Sequence, residues 1–141
     1  MIIANTAEMH SFGVQMAAQL KAGQWIAIDG TLGAGKTVLC AGILSGLGFT
    51  GEVTSPSYAI VHHYDPPDVQ ISVVHADLYR INNIAEIEEL GLTDSRDDCI
   101  TLIEWAKNGG NIFGQPDRKI EITILPGGQR RIDMNVKEEH G

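Results

Sequence analysis

The spacing of apolar residues in the first third of the chain predicts a helix, a strand and a second helix. Asn5 and Glu8 have the spacing of a capping box at a helix start. A continuous apolar run over residues 25–28 predicts a buried strand, and a second helix is predicted over residues 36–47. Residues at helical spacing predict the first helix, over about residues 6–21: Met9, Phe12, Met16 and Leu20.

The remainder of the chain predicts further strands and one short helix. Strand-like runs at 58–64 and 70–76 flank a turn at residues 65–68. A short helix is predicted over 84–90 and a buried strand over 100–103. The last apolar residues alternate with polar ones and predict a hairpin with one buried face: Ile120, Ile122, Ile124, Ile132, Met134 and Val136.

Length and composition indicate one globular domain over residues 1–141. Hydrophobic residues make up 43% of the chain and charged residues 20%. No apolar run approaches the roughly 20 residues that span a bilayer, and we expect no membrane association. No signal peptide is recognised at the N-terminus. Cys40 and Cys99 lie among apolar neighbours, which predicts buried free thiols and a cytoplasmic protein.

The net charge of −8 argues against a protein that holds tRNA or DNA unaided, because phosphate contacts need clustered Lys and Arg. Only Arg118-Lys119 and Arg130-Arg131 are locally basic. If the protein acts on RNA, we expect a partner to hold the RNA.

The strongest motif is G-x-x-x-x-G-K-[ST], which is met from Gly30 to Thr37. Its glycines let backbone N–H groups turn toward phosphate oxygens, Lys36 adds a cation, and the Thr37 hydroxyl can bind Mg²⁺. The helix that follows directs its positive end at the same phosphates. The residues predicted to bind the nucleotide are Gly33, Ala34, Gly35, Lys36, Thr37 and Val38.

Two carboxylates follow apolar strands. Asp77 ends the run 71–76 and Glu104 ends the run 100–103. In an open α/β sheet the ligand lies beyond the carboxyl ends of the strands. Both residues are therefore candidates to hold Mg²⁺ or a water, provided that their strands run parallel to the first. The alternative for each is a plain strand cap.

Ser55-Pro56-Ser57 lies where P-loop switches often reach the γ-phosphate. A hydroxyl there can contact phosphate, Mg²⁺ or the attacking water. From the residues alone, a simple Ser-Pro turn is the better interpretation.

Several segments together resemble the TsaE family, formerly grouped as YjeE-type P-loop proteins. The resemblance covers nearly the whole chain. It rests on segments that occur in this order: the loop Gly30 to Thr37, Ser55-Pro56-Ser57-Tyr58, His75-Ala76-Asp77-Leu78-Tyr79-Arg80 and Glu104-Trp105. It implies a P-loop NTPase-like α/β domain, with a mostly parallel central sheet flanked by helices and an antiparallel hairpin at the C-terminal end.

The resemblance also implies a function. TsaE-like proteins bind ATP and Mg²⁺ and work with TsaD and TsaB, which move a threonylcarbamoyl group onto the adenosine 3′ of the anticodon. We therefore expect a Mg²⁺-dependent ATPase with low intrinsic, partner-stimulated activity and only indirect contact with tRNA.

By position, the resemblance implies roles for particular residues. Lys36 would bind phosphates, and Thr37 and Glu104 would lie at Mg²⁺. Asp77 would hold Mg²⁺ through water or position the attacking water. Ser57 would be a switch hydroxyl.

The resemblance also makes Trp105 a packing or site-adjacent aromatic, and Tyr79 and Arg80 structural or contact residues. The chain departs from the family at Thr31, where Asp is frequent, and at Ser57, where Thr is frequent. The second change keeps a hydroxyl, whereas the first removes a negative charge beside the phosphates.

Two other functional classes stay open. A small-molecule or nucleotide kinase would need an acceptor site and usually an arginine-bearing lid, and no lid insertion is recognisable. A non-catalytic module, in which nucleotide only locks a binding surface, remains compatible with Thr31. A GTPase is disfavoured because the chain has no N-K-x-D motif.

Overall fold

A computed structural model of the chain describes residues 1–56, 60–81, 83–94 and 96–137. Within them, three helices pack on one seven-stranded sheet. The helices are α1 (Thr6–Ala17), α2 (Lys36–Gly46) and α3 (Ile84–Glu89). The strands are β1 (Ile2–Ile3), β2 (Trp25–Gly30), β3 (Val61–Tyr64), β4 (Val73–Asp77), β5 (Ile100–Glu104), β6 (Arg118–Ile124) and β7 (Arg130–Val136). Short 3₁₀ turns cover Arg96–Asp98 and Ala106–Gly109.

The sheet order is β1-β7-β6-β2-β5-β4-β3. Strands β4, β5, β2 and β6 run parallel, whereas β3, β7 and β1 pair antiparallel at the edges. The predicted α/β fold with a mostly parallel sheet and a C-terminal hairpin is therefore confirmed. The loop after β2 lies at the same end of the sheet as the carboxyl ends of β4 and β5.

The first helix begins as its sequence predicts but ends earlier. The Asn5 side chain accepts a hydrogen bond from the Glu8 N–H at 2.9 Å, and the Glu8 carboxylate accepts from the Ala4 N–H at 2.6 Å. The helix stops at Ala17 rather than near residue 21. Leu20 is nevertheless buried, because the turn after the helix still packs on the sheet.

The glycines of α2, which lower its helix propensity, are explained by the packing of α2 against α1. A Cβ at Gly42 would run into the carbonyl of His10, and a Cβ at Gly46 would lie 2.6 Å from Cβ of Ala17. These two positions therefore allow the helices to approach more closely than any side chain would permit.

The predicted buried face of the hairpin is only partly correct. Ile122 and Ile132, which pair with each other, are buried against the helices. Ile124, Met134 and Val136 are 42%, 39% and 52% exposed. Ile124 lies at the turn, and the other two lie on β7 beyond the two residues that pair with β1. Strand alternation predicts which side chains share a face, but not how far the helices cover that face.

Candidate functional site

The loop of residues 30–37 connects the end of β2 to the start of α2. Gly33 and Gly35 adopt left-handed backbone conformations, with φ of 78° and 111°, which side-chain-bearing residues rarely adopt. Gly30 is needed for a different reason, since a Cβ there would lie 2.8 Å from the carbonyl oxygen of Ile122. The loop thus makes tight turns at Gly33 and Gly35, and its first residue packs closely against β6.

Lys36 is the buried cation of the loop. Its Nζ donates to the carbonyls of Gly30 at 2.7 Å and Thr31 at 2.8 Å, and the residue is only 5% exposed. Burial lowers the pKa of Lys36, while the nearby carboxylates of Glu104 and Asp77 act in the opposite direction. The ammonium group therefore lies in the loop, within the field of both predicted site carboxylates.

The two predicted carboxylates do lie together. Because β4 and β5 are parallel, Asp77 and Glu104 are register partners, and Ile28 of β2 pairs with Glu104. The Thr37 hydroxyl donates to the Glu104 carboxylate, with oxygen separations of 3.2 and 3.3 Å. Both carboxylates are buried. The structure thus brings Lys36, Thr37, Asp77 and Glu104 to one place.

Asp77 is held by its neighbours. Its Oδ1 accepts the Tyr79 N–H at 2.9 Å, and its Oδ2 accepts the Ser55 hydroxyl at 3.0 Å. These bonds orient the carboxylate from two directions.

His75 is a part of this site that sequence reasoning missed. Its Nε2 lies 2.6 Å from Oε2 of Glu104, and its Nδ1 has no hydrogen-bond partner among the described residues. A neutral ring with the proton on Nε2 donates to Glu104 and leaves no buried N–H unpaired. The signal in the sequence was the spacing His75-x-Asp77, because residues two apart in a strand share a face.

Cys40 completes the surroundings of Glu104. The possible ligand atoms of Cys40, His75 and Glu104 lie within 4.8 Å of one another. The imidazole and the carboxylate are hydrogen-bonded to each other, and burial raises the pKa of the Cys40 thiol well above its usual range. Cys40 is the buried free thiol that was predicted, whereas Cys99 is only partly buried.

The side chains at the end of β5 suit a magnesium ion. The Thr37 hydroxyl and the Glu104 carboxylate present oxygen atoms to each other at hydrogen-bond distance, and Asp77 adds a second carboxylate on the neighbouring strand. Mg²⁺ prefers hard oxygen ligands and usually keeps several waters. The donor set therefore fits Mg²⁺ better than a soft metal.

Trp105 lies beside the loop lysine, as the site-adjacent interpretation expected. Its ring centroid is 4.7 Å from Nζ of Lys36 and 5.0 Å from Nζ of Lys107. The Tyr79 ring packs on it at a centroid distance of 4.9 Å. Trp105 has a positive φ of 57°, which turns the chain sharply after Glu104 and brings the indole over the loop.

Four further residues were named from the sequence: Ser57, Thr31, Arg80 and Val38. Ser57 lies outside the described residues. Thr31 and Arg80 are exposed. Val38 is partly buried against the core beneath the loop.

A cavity of about 850 Å³ opens beside the loop, on the face of the sheet opposite α1 and α2. Trp25 lines this cavity and also packs on Phe113 at a ring distance of 5.6 Å. Asp29 also lines this cavity. Burial raises its pKa, and the Lys107 N–H donates to it at 3.3 Å.

Among the described residues, no helix has the length and apolar character required to cross a membrane. The parallel sheet, with its glycine-rich loop between a central strand and a helix, places the chain in the class of P-loop nucleotide-binding folds.

Comparison with known proteins narrows this class. The model of the family "Threonylcarbamoyl adenosine biosynthesis protein TsaE" matches residues 3–132. The chain belongs to the TsaE family.

Individual relatives agree with the family match. The chain is 41% identical to TsaE of Haemophilus influenzae, over 67% of this chain and 60% of that protein, so it spans less than two thirds of that relative. It is 37% identical to TsaE of Streptomyces coelicolor, over 82% and 78% of the two chains. It is 32% identical to TsaE of Rickettsia bellii, over 99% and 94%. All three carry the name tRNA threonylcarbamoyladenosine biosynthesis protein TsaE.

A solved structure shows the same fold. The crystal structure of YdiB from Bacillus subtilis aligns with a TM-score of 0.80 and 28% identity. The alignment covers 95% of this chain and 81% of that one.

Proposed function

We propose that this protein is the ATP-binding and ATP-hydrolysing component of tRNA threonylcarbamoyladenosine synthesis, acting in the cytoplasm with TsaD-like and TsaB-like proteins. The observation that carries the proposal is the meeting of a loop lysine with an oxygen-donor pair. The loop contributes Lys36 and Thr37, and the parallel neighbouring strand contributes Glu104. The three side chains meet at the carboxyl end of the central strands. Membership of the TsaE family supplies the biological setting.

The loop and Lys36 would bind the triphosphate. Loop N–H groups and the α2 N-terminus favour anions at this point, and Lys36 adds a positive charge. Thr37 and Glu104 would hold Mg²⁺, which when bound neutralises charge on the phosphate oxygens. Each of these groups stabilises negative charge that grows as the terminal phosphoryl group leaves.

Asp77 would position the attacking water. Its carboxylate is oriented by the Tyr79 N–H and the Ser55 hydroxyl, so it can accept a hydrogen bond from a water in a defined direction. The water oxygen bonds to the γ-phosphorus as the bond to the bridging oxygen of ADP breaks. His75 would keep the Glu104 carboxylate in place during this step.

The protein would reach tRNA only through its partners. Its net charge of −8 disfavours direct contact with an RNA backbone. We expect slow hydrolysis by the protein alone and faster hydrolysis with partners, because a partner can supply an arginine near the transferred phosphoryl group.

The decisive experiment is ATP hydrolysis by the purified protein, alone and with TsaD and TsaB, with Lys36→Ala as the control variant. The proposal expects low activity alone, a clear rise with the partners, and loss of activity in the variant. Pull-down with the same partners, with and without ATP, tests the association separately.

Other outcomes would replace the proposal. Activity that ignores TsaD and TsaB but responds to a small phosphoryl acceptor would identify a kinase. ATP binding without hydrolysis under every condition would identify a nucleotide-dependent switch module, for which Thr31→Asp is the first variant to examine.

A further inference from the structure

The hairpin turn between β6 and β7 is tied to the glycine-rich loop by one side chain. Arg130, the first residue of β7, donates from Nε to the Ala34 carbonyl at 3.0 Å and from Nη2 to the Gly33 carbonyl at 3.1 Å. Its Nη1 donates to the carbonyl of Gly128 in the turn. One planar guanidinium group thus joins two consecutive loop carbonyls to the hairpin.

These two loop carbonyls belong to peptide units whose N–H groups lie on Ala34 and Gly35. The two groups of a trans peptide unit point in opposite directions, so fixing a carbonyl also fixes the direction of its N–H. The Ala34 N–H closes a turn by donating to the Thr31 carbonyl at 3.1 Å. The bond from Arg130 to Ala34 orients the peptide unit that carries the Gly35 N–H.

Two cations therefore brace neighbouring halves of the loop. Lys36 binds the carbonyls of Gly30 and Thr31, and Arg130 binds those of Gly33 and Ala34. Lys36 is the residue expected to serve the phosphates, whereas Nε, Nη1 and Nη2 of Arg130 each already donate to a carbonyl. The support from Arg130 does not compete with phosphate binding.

The turn itself is built to hold Arg130 in this position. The Leu125 N–H donates to the Gln129 carbonyl at 2.8 Å, and the Gly128 N–H donates to the Leu125 carbonyl at 3.1 Å. Gly127 and Gly128 both have a φ of 92°, a conformation that glycine adopts readily. The side chain is thus anchored in a closed turn as well as in the loop.

We propose that Arg130 is a positioning residue of the nucleotide site, which holds the phosphate-binding loop in its binding conformation through the carbonyls of Gly33 and Ala34. This inference rests on the proposed nucleotide binding. It makes the C-terminal hairpin a structural part of the site, although no residue of the hairpin belongs to the loop motif.

Three variants separate the possible roles of Arg130. Arg130→Lys keeps the charge but cannot bond two carbonyls with a planar fork. Arg130→Gln keeps a hydrogen-bond donor without the charge. Arg131→Ala is the matched control, because the neighbouring arginine is exposed and its side chain bonds, among the described residues, to Asp133 at 3.2 Å.

The measurements are the Kd for ATP by calorimetry, kcat and KM for hydrolysis, and amide hydrogen exchange of residues 31–35. Arg130→Gln and Arg130→Lys are both expected to weaken ATP binding about 10-fold or more, as for the loss of hydrogen bonds from a charged donor. They should also speed exchange in the loop while Arg131→Ala leaves both quantities unchanged. Thermal unfolding of each variant identifies any that fails to fold.

Several outcomes would overturn the inference. Normal binding and exchange in Arg130→Lys with weak binding in Arg130→Gln would show that only the charge matters. A fall in kcat at unchanged ATP affinity would assign Arg130 to the transferred phosphoryl group instead. If the wild-type protein binds no ATP, the proposed function fails, whereas loop exchange still tests the support by Arg130 on its own.

Discussion

The two flanks of β2 contribute to the glycine-rich loop in opposite ways. On one side, β5 and β4 bring the carboxylates of Glu104 and Asp77 to the loop's phosphate-binding end. On the other side, β6 and β7 contribute no carboxylate to that point, and Arg130 instead bonds to loop carbonyls. Under the proposed function, one flank carries the groups for chemistry, and under the proposed role of Arg130 the other supports the loop.

Recognisable sequence motifs arise on the β5 and β4 side of the loop and not on the β6 and β7 side. Groups that are to bind a metal or a phosphate must be of one chemical type, so candidates for this role, such as Glu104 and Asp77, can be recognised in the sequence. A supporting residue needs only a donor of suitable reach, and nothing around Arg130 distinguishes it from Arg131 in the sequence.

The largest effect is expected on the β5 side. Replacing Glu104 with Gln removes the charge that faces Thr37, and we expect ATP hydrolysis to fall at least about 100-fold. Glu121→Gln, on β6, is the control, because this carboxylate is exposed and, among the described residues, forms an ion pair with Lys119 at 3.7 Å. Steady-state hydrolysis at saturating Mg²⁺ measures both. Equal losses of hydrolysis in the two variants would mean that the β5 side has no special role in the reaction.

Asp77→Asn is expected to have the next largest effect. An outer group that acts through a water typically accounts for about 10- to 100-fold, and we expect a loss of kcat in this range with little change in ATP affinity. The amide still accepts the Tyr79 N–H through its oxygen, so the fold should persist. Single-turnover hydrolysis combined with calorimetry separates the two quantities. A loss confined to ATP affinity would contradict the assigned role.

Gly30→Ala tests the close contact on the β6 side. The new Cβ would meet the Ile122 carbonyl oxygen at 2.8 Å and Cβ of Ala34 at 3.1 Å. Overpacking of this kind typically costs about 1–3 kcal/mol, so we expect lower stability to urea. ATP affinity should fall as well, since the loop must shift. Gly114→Ala, where a Cβ meets nothing within 4 Å but φ is 73°, measures backbone strain alone. Unchanged stability and unchanged ATP affinity in Gly30→Ala would mean that the contact with β6 is unimportant.

The smallest effect is expected at Asp29, in the cavity wall. Burial raises the pKa of Asp29 above its ordinary value of 3.8, and the Lys107 N–H and ammonium group partly offset this rise. Over the pH range from 3.8 up to the raised value, the folded state therefore binds more protons than the unfolded state. Stability contributed by this group falls as pH rises through that range and is lowest once Asp29 is ionised.

Asp29→Asn should consequently raise the urea midpoint slightly at pH 7, and the difference from wild type should shrink as the pH is lowered toward 4. Urea unfolding at pH 4, 5, 6 and 7 tests this. A variant that is less stable at every pH would show that the bond from the Lys107 N–H outweighs the burial of the charge.

Much of the fold and part of the site could be predicted from the sequence. The loop, Asp77 and Glu104 were recognisable because each ends an apolar run, and parallel strands bring such ends together. The helix α1 was predicted too long, since apolar spacing continues to Leu20 although the helix stops at Ala17. The exposed end of the hairpin was also missed, because alternation does not report what covers a face.

The class of this protein can be recognised in the chain alone, because the glycine spacing, the lysine and the hydroxyl that follows it are local requirements of a phosphate-binding loop. The distant groups that contact this loop and its neighbouring carboxylates become visible only once the chain is folded. The hydrogen bond of His75 to Glu104 joins two neighbouring strands, β4 and β5. The bonds of Arg130 to Gly33 and Ala34 connect residues almost 100 positions apart in the chain. Such contacts depend on strand order and register, which bring together residues that no local spacing relates.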